Sequence, residues 1–412
     1  MKKPVRDAVL TDFQKRIFFT SDLRKPCWNR VRSILTEGSC TSSDALTDQI
    51  VNKPHLSDQH DQRPDCGAIM TNQENVYAGS QRRLWILLFI VAGLGGCATR
   101  PGVDALAVRQ RPSGSHQTVT VVTATDRQRD ITGVGYTARR SEKLQFERFT
   151  VAARETPDAR GKTDSARKPT SARKYVVTRR EPIAARNINA NKNALIYVHG
   201  YNYTFQESLF QLSRVVADGG LTEVPILFSW PSNGTVTGYI ADKDAAAFAR
   251  DDLVTLLAVS KKQNPDGKVT LFGHSMGAWI VIEALRQLKL SNRDDILRHV
   301  DQVVLAAPDI DVELFKRQIN TIGRLTKPIL VLSATDDRAL TISSRLGGAR
   351  ARMGMVDQSD PAIQELVADG AIRIVDLSAV PAPDKTNHNR FINLVSSLSD
   401  TKKRTVFFLA TK

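Results

Sequence analysis

One stretch of this chain has the residue types and spacing for covalent chemistry. Gly273-His274-Ser275-Met276-Gly277 reads G-x-S-x-G, with the apolar run Val269 to Phe272 before it. After it, Val281, Ala284, Leu285 and Leu288 recur at i, i+3, i+4, i+7, which makes one apolar helix face. Strand before and helix after are the context that turns this short pattern into a nucleophile elbow. The turn forces its serine into a sparsely allowed backbone conformation, so the neighbours crowded by strand and helix must lack a Cβ. The expectation is an exposed Ser275 hydroxyl. A hydroxyl is a weak nucleophile at neutral pH; it needs a base, and the base needs an acid to hold its tautomer and stabilise the imidazolium.

For a serine on such an elbow the partners follow in the order Ser, acid, His. Only His299 and His388 come after Ser275. His299 precedes the apolar run Gln302 to Ala307, at the sheet end away from the elbow, and is expected on the surface. His388 lies in PAPDKTNHNR, between the last strand pattern and the last helix pattern, and is the base of choice. The acid is sought where strand C-termini gather the loops of an open sheet. Asp336 and Asp337 in SATDDRAL compete there, and adjacent residues point differently, so only one reaches His388; Asp337 is preferred. Asp309 and Asp311 in APDID are reserves, and each of these carboxylates reads equally as a helix N-cap. Two backbone N–H donors must face the developing oxyanion, each worth about 3 kcal/mol. Met276 N–H is one and Tyr201 N–H, in the loop after the run ending at His199, is the other. His199 is expected to prop that loop and His274 to pack inside the elbow.

The elements that must position these residues alternate. After early strands at Val119 to Ala124, Phe146 to Ala152 and Tyr175 to Val177, strands at 194–199, 224–230, 268–273, 302–307, 328–333 and 372–377 alternate with helices at 205–216, 244–260, after Ser275, from Val312, up to Asp369 and from Asn389. Short loops and near-continuous apolar strands predict an α/β fold, a mostly parallel sheet with helices on both faces. The nucleophile is placed after the fifth strand. Ser232 to Asp242 is expected to overhang the site and contribute to an acyl pocket.

From about Val119 onward the chain resembles an uncharacterised family of bacterial α/β-hydrolases. The resemblance rests on HGYN (His199 to Asn202), FSWPS (Phe228 to Ser232) with Gly238, Tyr239 and Asp242 following, GHSMG, APD (Ala307 to Asp309) and D-x-A-L (Asp337 to Leu340). It implies the α/β-hydrolase fold and, through D-x-A-L, favours Asp337 over Asp336 as acid. It brings no substrate. The basic stretch Arg154 to Lys174 departs from it as an insertion between early strands.

The N-terminal third reads differently. Arg82 and Arg83 precede thirteen apolar or Gly residues, Leu84 to Gly96, too few to span a bilayer, which takes about 20. The run ends in Leu94-Gly95-Gly96-Cys97, which resembles the lipobox of bacterial lipoproteins, with Cys97 as the lipidated residue. Ala98 after it resembles residues that permit transfer to the outer membrane. An uncleaved inner-membrane signal anchor is the alternative. Signal order runs from Met70, so residues 1–69 are expected to be an upstream extension translated from an early start; 70–97 is then the signal, 98–118 a flexible tether and 119–412 the hydrolase domain. All four cysteines, Cys27, Cys40, Cys66 and Cys97, precede that domain, which must therefore be held by its core without disulfides.

The net charge is +15, and residues 98–190 carry 19 Lys and Arg against 9 Asp and Glu. Without aromatic interleaving or a groove-reading motif this is a solvated face, and nucleic acid is not expected as a partner. The expected activity is that of a serine hydrolase of the esterase, lipase or thioesterase kind, using no metal and no cofactor. Its expected partners are a small-molecule or lipid ester and, through the anchor, a membrane facing the periplasm. A peptidase or acyltransferase would use the same triad. A non-catalytic binding or scaffold lipoprotein is the alternative from outside catalysis.

Overall fold

The computed structural model describes residues 100–112, 117–155, 173–189, 192–357 and 359–398. The upstream extension, the signal and Cys97 lie outside the described residues, as does most of the basic insertion. Nine strands form one sheet: β1 Gln117–Arg129, β2 Tyr136–Glu155, β3 Arg173–Pro182, β4 Ala194–Val198, β5 Val224–Ser229, β6 Val269–His274, β7 Val300–Ala306, β8 Ile329–Ser333 and β9 Ile372–Asp376. Their order is β3-β2-β1-β5-β4-β6-β7-β8-β9. Only β2 runs against the rest; β1 pairs with β5 in parallel and the remaining neighbours are parallel. The strand before the elbow is sixth in the chain, as the six strand patterns up to residue 273 also count, and not fifth. The leading strands outrun their apolar cores: β2 pairs with β1 from Ala153 at one end to Tyr136 at the other, through residues a hydrophobic pattern would leave as loop.

Alternation within β4 shows how the sheet is covered. Ile196 and Val198 face one apolar cluster with the helices α2 Tyr239–Gln263, α3 Met276–Leu290 and α5 Val312–Ile322, whereas Leu195 and Tyr197 face another with α1 Phe205–Gly219 and α8 Arg390–Leu398. The short helices α4 Asp294–Leu297, α6 Arg338–Leu346 and α7 Pro361–Ala368 complete the chain order. In α1 the sequence sets its own start: Thr204 and Glu207 form a reciprocal capping box that satisfies two otherwise orphaned N–H groups. In α3 the predicted face, Val281, Ala284, Leu285 and Leu288, is fully buried, and so are Ile280 and Ile282, because α2 and α5 close on the flanks. Among the described residues no helix is long and apolar enough to cross a membrane.

Three expectations change here. Helix α2 starts at Tyr239, so the last part of the supposed overhang is its first turn, and Ser232 and Asp242 are buried. His299 lies at the far end of the sheet, as its place in the chain requires, but is buried. The C-terminal part of α2 covers it, with Ser260 Oγ 3.3 Å from Nε2. The described part of the supposed tether, residues 100–112, is docked. Leu106 is fully buried, Arg109 N–H donates to Val177 O at 2.8 Å, and Arg100 is held by α1 and the loops after β4 and β5.

Candidate active site

Among the described residues, the candidate catalytic and oxyanion residues follow the C-terminal edges of parallel strands, where side chains from distant segments converge. Ser275 follows β6 with φ 54° and ψ −121°, a conformation that a residue with a Cβ holds only under external constraint. The constraint is visible. Ser275 N–H donates to Ala306 O at 2.9 Å, and Ser275 O accepts from Ala278 N–H at 3.0 Å and Asp309 N–H at 3.3 Å. A Cβ on Gly277 would lie 2.3 Å from Val198 O and 2.4 Å from His199 O, backbone atoms that cannot yield, so helix α3 can approach β4 only through glycine. Of the six described non-glycine residues with positive φ, four belong to this region: Asn202, Ser275, Ala307 and Asn387. Positive φ is therefore concentrated where the chemistry was expected, as strain at Ser275 and Ala307 and as a tolerated conformation at the two asparagines.

The candidate base and acid meet. His388 Nδ1 lies 2.7 Å from Asp337 Oδ2, with Asp337 fully buried and its other oxygen accepting Leu340 N–H at 3.0 Å. Asp337 is both partner to the imidazole and N-cap of α6, so the two readings of that carboxylate hold at once. Burial acts to lower the His388 pKa, but the Asp337 charge and hydrogen bond outweigh it, and the net shift is upward from 6.5. Asp336 turns away: it accepts from Arg390 Nη2 at 2.5 Å and Asn387 Nδ2 at 2.8 Å, tying the His388 loop to the loop after β8. Asp384 accepts the N–H groups of His388 at 3.3 Å and Asn389 at 2.9 Å and sets the loop's curl. Asp309 does not reach the imidazole either. It is buried and shared between Tyr239 OH at 2.9 Å, Ser343 Oγ and Arg352 Nε at 3.4 Å. Asp311 caps α5 through Leu314 N–H.

His274 stands behind His388, ring centroids 4.7 Å apart, and also packs on Phe391 and the edge of Tyr203. Burial first, and the nearby His388 second, push its pKa well below 6.5. It stays neutral, so it buttresses the second imidazole without opposing a charge on it. His199 is stacked on Trp230 at 5.1 Å, with Nδ1 2.8 Å from Gly200 O, and burial pushes its pKa to about 3. Both histidines carry out the packing roles expected of them.

The loop with Tyr201 lies against Ser275: a Cβ on Gly200 would be 3.0 Å from Ser275 Cβ. Its later amides are engaged, Asn202 N–H by Asp242 at 3.3 Å, Tyr203 N–H by Ser232 Oγ at 3.3 Å and Thr204 N–H by Glu207 at 2.9 Å. Met276 is the first residue of α3, where N–H groups have no intrahelical acceptor. One expectation is corrected. Ser275 is only 5% exposed, because the loops bearing Gly200, Asp309 and His388 close around the elbow.

Sequence reading did not find the braces. Asp242, fully buried, accepts Ser232 Oγ at 2.5 Å and Asn233 N–H at 2.7 Å besides Asn202 N–H, joining the loops after β4 and β5. Arg127, also buried, donates to Tyr203 O at 2.9 Å, Ser232 O at 3.0 Å and Ser229 Oγ at 3.2 Å from beneath the same loops. An arginine within the apolar strand VTVVTATDRQR was the available signal.

Comparisons with known proteins follow from this geometry. An uncharacterized protein, alr1448, of Nostoc sp. is 30% identical over 125 residues, a match covering 24% of this chain and 32% of that protein. The chain thus spans about a third of the length of the curated relative it matches. A predicted CIB-like hydrolase from Thermoplasma acidophilum is similar at 14% identity over 71% of this chain and 99% of that one, with a TM-score of 0.31. A serine hydrolase without a lid from Xanthomonas campestris is similar at 14% identity, covering 63% of this chain and 89% of its own, with a TM-score of 0.31. Residues 178–399, more than half of the chain and nearly all of the sheet from β3 onward with its helices, match the family described as alpha/beta hydrolase of unknown function (DUF900), and the chain belongs to that family.

Proposed function

We propose that this hydrolase cleaves ester bonds through an acyl-enzyme, with Ser275 as nucleophile, His388 as base and then acid, and Asp337 as the partner that holds His388. The observation that carries the reading is the 2.7 Å contact between His388 Nδ1 and a fully buried Asp337; Ser275, strained at φ 54°, follows His274, whose ring packs on His388 at 4.7 Å. With Nδ1–H donated to Asp337, the neutral tautomer leaves Nε2 free to take the Ser275 proton as Oγ attacks the ester carbonyl. The tetrahedral oxyanion is met by Met276 N–H and Tyr201 N–H. Collapse expels the alcohol, protonated by His388; water, deprotonated by His388, then attacks the acyl-serine and releases the acid.

A fluorophosphonate probe tests the reading without a known substrate. It is expected to add one phosphonyl group to the wild type, at the peptide carrying Ser275, and none to Ser275→Ala. Equal labelling of the two proteins would remove Ser275 from the chemistry. Hydrolysis of a p-nitrophenyl ester series of increasing chain length then places the acyl preference, and a flat response unchanged by Ser275→Ala would count against an esterase.

The lipobox-like LGGC supports a second proposal, that Cys97 carries a lipid that holds the enzyme on the outer membrane facing the periplasm. Radiolabelled palmitate is expected to enter the wild-type protein in growing cells and not Cys97→Ser; labelling of both would place the lipid elsewhere or nowhere on this motif.

A further inference from the structure

We infer that Arg100 is a positioning residue for the reaction: it clamps the loop that carries Tyr201 N–H and so keeps that donor aimed at the oxyanion. The role of the loop rests on the hydrolase reading above, whereas the clamp rests on contacts alone. Arg100 Nε and Nη2 donate to Glu207 Oε1 and Oε2, both at 2.6 Å, as a two-pronged fork. The same guanidinium donates through Nη2 to Asn202 O at 2.6 Å, and through Nη1 to Asn202 Oδ1 at 3.1 Å and Gly234 O at 2.6 Å. One side chain thereby joins the amide loop, the first turn of α1 and the turn after β5. The Glu207 hydrogen bond, against the opposing pull of burial, raises the guanidinium's pKa, so it is charged at any working pH.

A lone surface ion pair contributes little, and Arg100 is 43% exposed. What distinguishes this contact is where it falls. Asn202 follows Tyr201 directly and holds a left-handed φ of 63°, which asparagine tolerates, so what fixes its carbonyl and side chain is the set of contacts around it. Asp242 holds its N–H from the buried side; Arg100 holds its carbonyl and its side chain from the solvent side. Besides Arg100, the loop has on that side the Tyr201 hydroxyl donated to Val236 O, but Asn202 itself would then be held from the buried side only. An oxyanion donor acts within a few tenths of an ångström, and a shift of about 1 Å costs on the order of a hundredfold in rate. A lysine cannot replace the fork, since a single ammonium offers no planar pair of donors for Glu207 and no second pair for Asn202.

The test uses the full chain and a short p-nitrophenyl ester. In Arg100→Ala, kcat is expected to fall about tenfold to a hundredfold with KM changed less than about twofold, the pattern of an interaction felt in the transition state. Arg100→Lys should fall nearly as far. Millimolar guanidinium should restore part of the Arg100→Ala rate, while sodium at equal ionic strength should not, and amide exchange in peptides covering Tyr201 to Tyr203 should quicken. An unchanged kcat overturns the proposal, as does a loss that guanidinium does not restore and that tracks the fraction unfolded. Should the wild type show no turnover, the hydrolase reading fails by itself, and the exchange rates then decide the clamp: no difference between wild type and Arg100→Ala or Arg100→Lys overturns it.

Discussion

His388→Ala is expected to lower kcat for ester hydrolysis by about 10⁶-fold, as far as Ser275→Ala, and the double variant no further. The nucleophile and its base act as a unit: without an acceptor for its proton Ser275 stays a neutral alcohol, and without Ser275 the base has no proton to take. The other histidines near the elbow cannot substitute. His199 and His274 are buried and neutral, with His199 engaged on the Gly200 carbonyl and the Trp230 ring, and His274 wedged behind His388. Residual rate in all three variants would come from the amide donors and substrate binding. Single-turnover kinetics on a p-nitrophenyl ester measures the effect. A His388→Ala enzyme keeping a tenth of the wild-type rate would mean that the Ser275 proton leaves by another route.

Asp337→Asn is expected to lower kcat/KM by about 10⁴-fold while leaving the fold intact. An asparagine keeps the volume and can still cap α6 through its carbonyl oxygen, so stability should change little, whereas Asp337→Ala also loses the cap, at about 1 kcal/mol. What asparagine loses is charge and tautomer control. It can present N–H to Nδ1, forcing the imidazole proton to Nε2, where it blocks the Ser275 proton. The pH profile separates this from simple damage. In the wild type the base works when neutral, so kcat/KM should rise with pH through an inflection above 6.5, because Asp337 overcomes the lowering effect of burial on His388. Removing that charge leaves burial opposed only by the more remote Asp384 and Asp309, and the inflection should move down. Asp336→Asn is the control: its carboxylate faces Arg390 and Asn387, and the inflection should stay in place. An Asp336→Asn loss as large as that of Asp337→Asn would reassign the acid.

Much of the fold was legible because its signals are local. The capping box that starts α1 lies within four residues, and the alternation of apolar strands with amphipathic helices places the parallel sheet without any knowledge of contacts. The family match begins at residue 178, later than the Val119 from which the motifs suggested kinship, so β1 and β2 stand outside it. The errors share a cause. His299 and residues 100–112 were assigned to solvent from polarity and chain position, yet each is covered by a segment distant in sequence, α2 for the first and α1 with the loop after β5 for the second.

The sequence by itself determined the elbow at Ser275, the chain order of the candidate partners and the sheet that carries them, because an elbow needs a strand, a turn between glycines and a helix in immediate succession. The D-x-A-L resemblance favoured Asp337 over its neighbour, but only the tertiary structure shows it against His388, since that depends on side-chain direction at the end of β8 and on a loop arriving from after β9. The tertiary structure also decided how closed the elbow is and what braces the Tyr201 amide. Asp242, Arg127 and Arg100 come from three separate parts of the chain, and only packing brings their charges to the same few backbone groups.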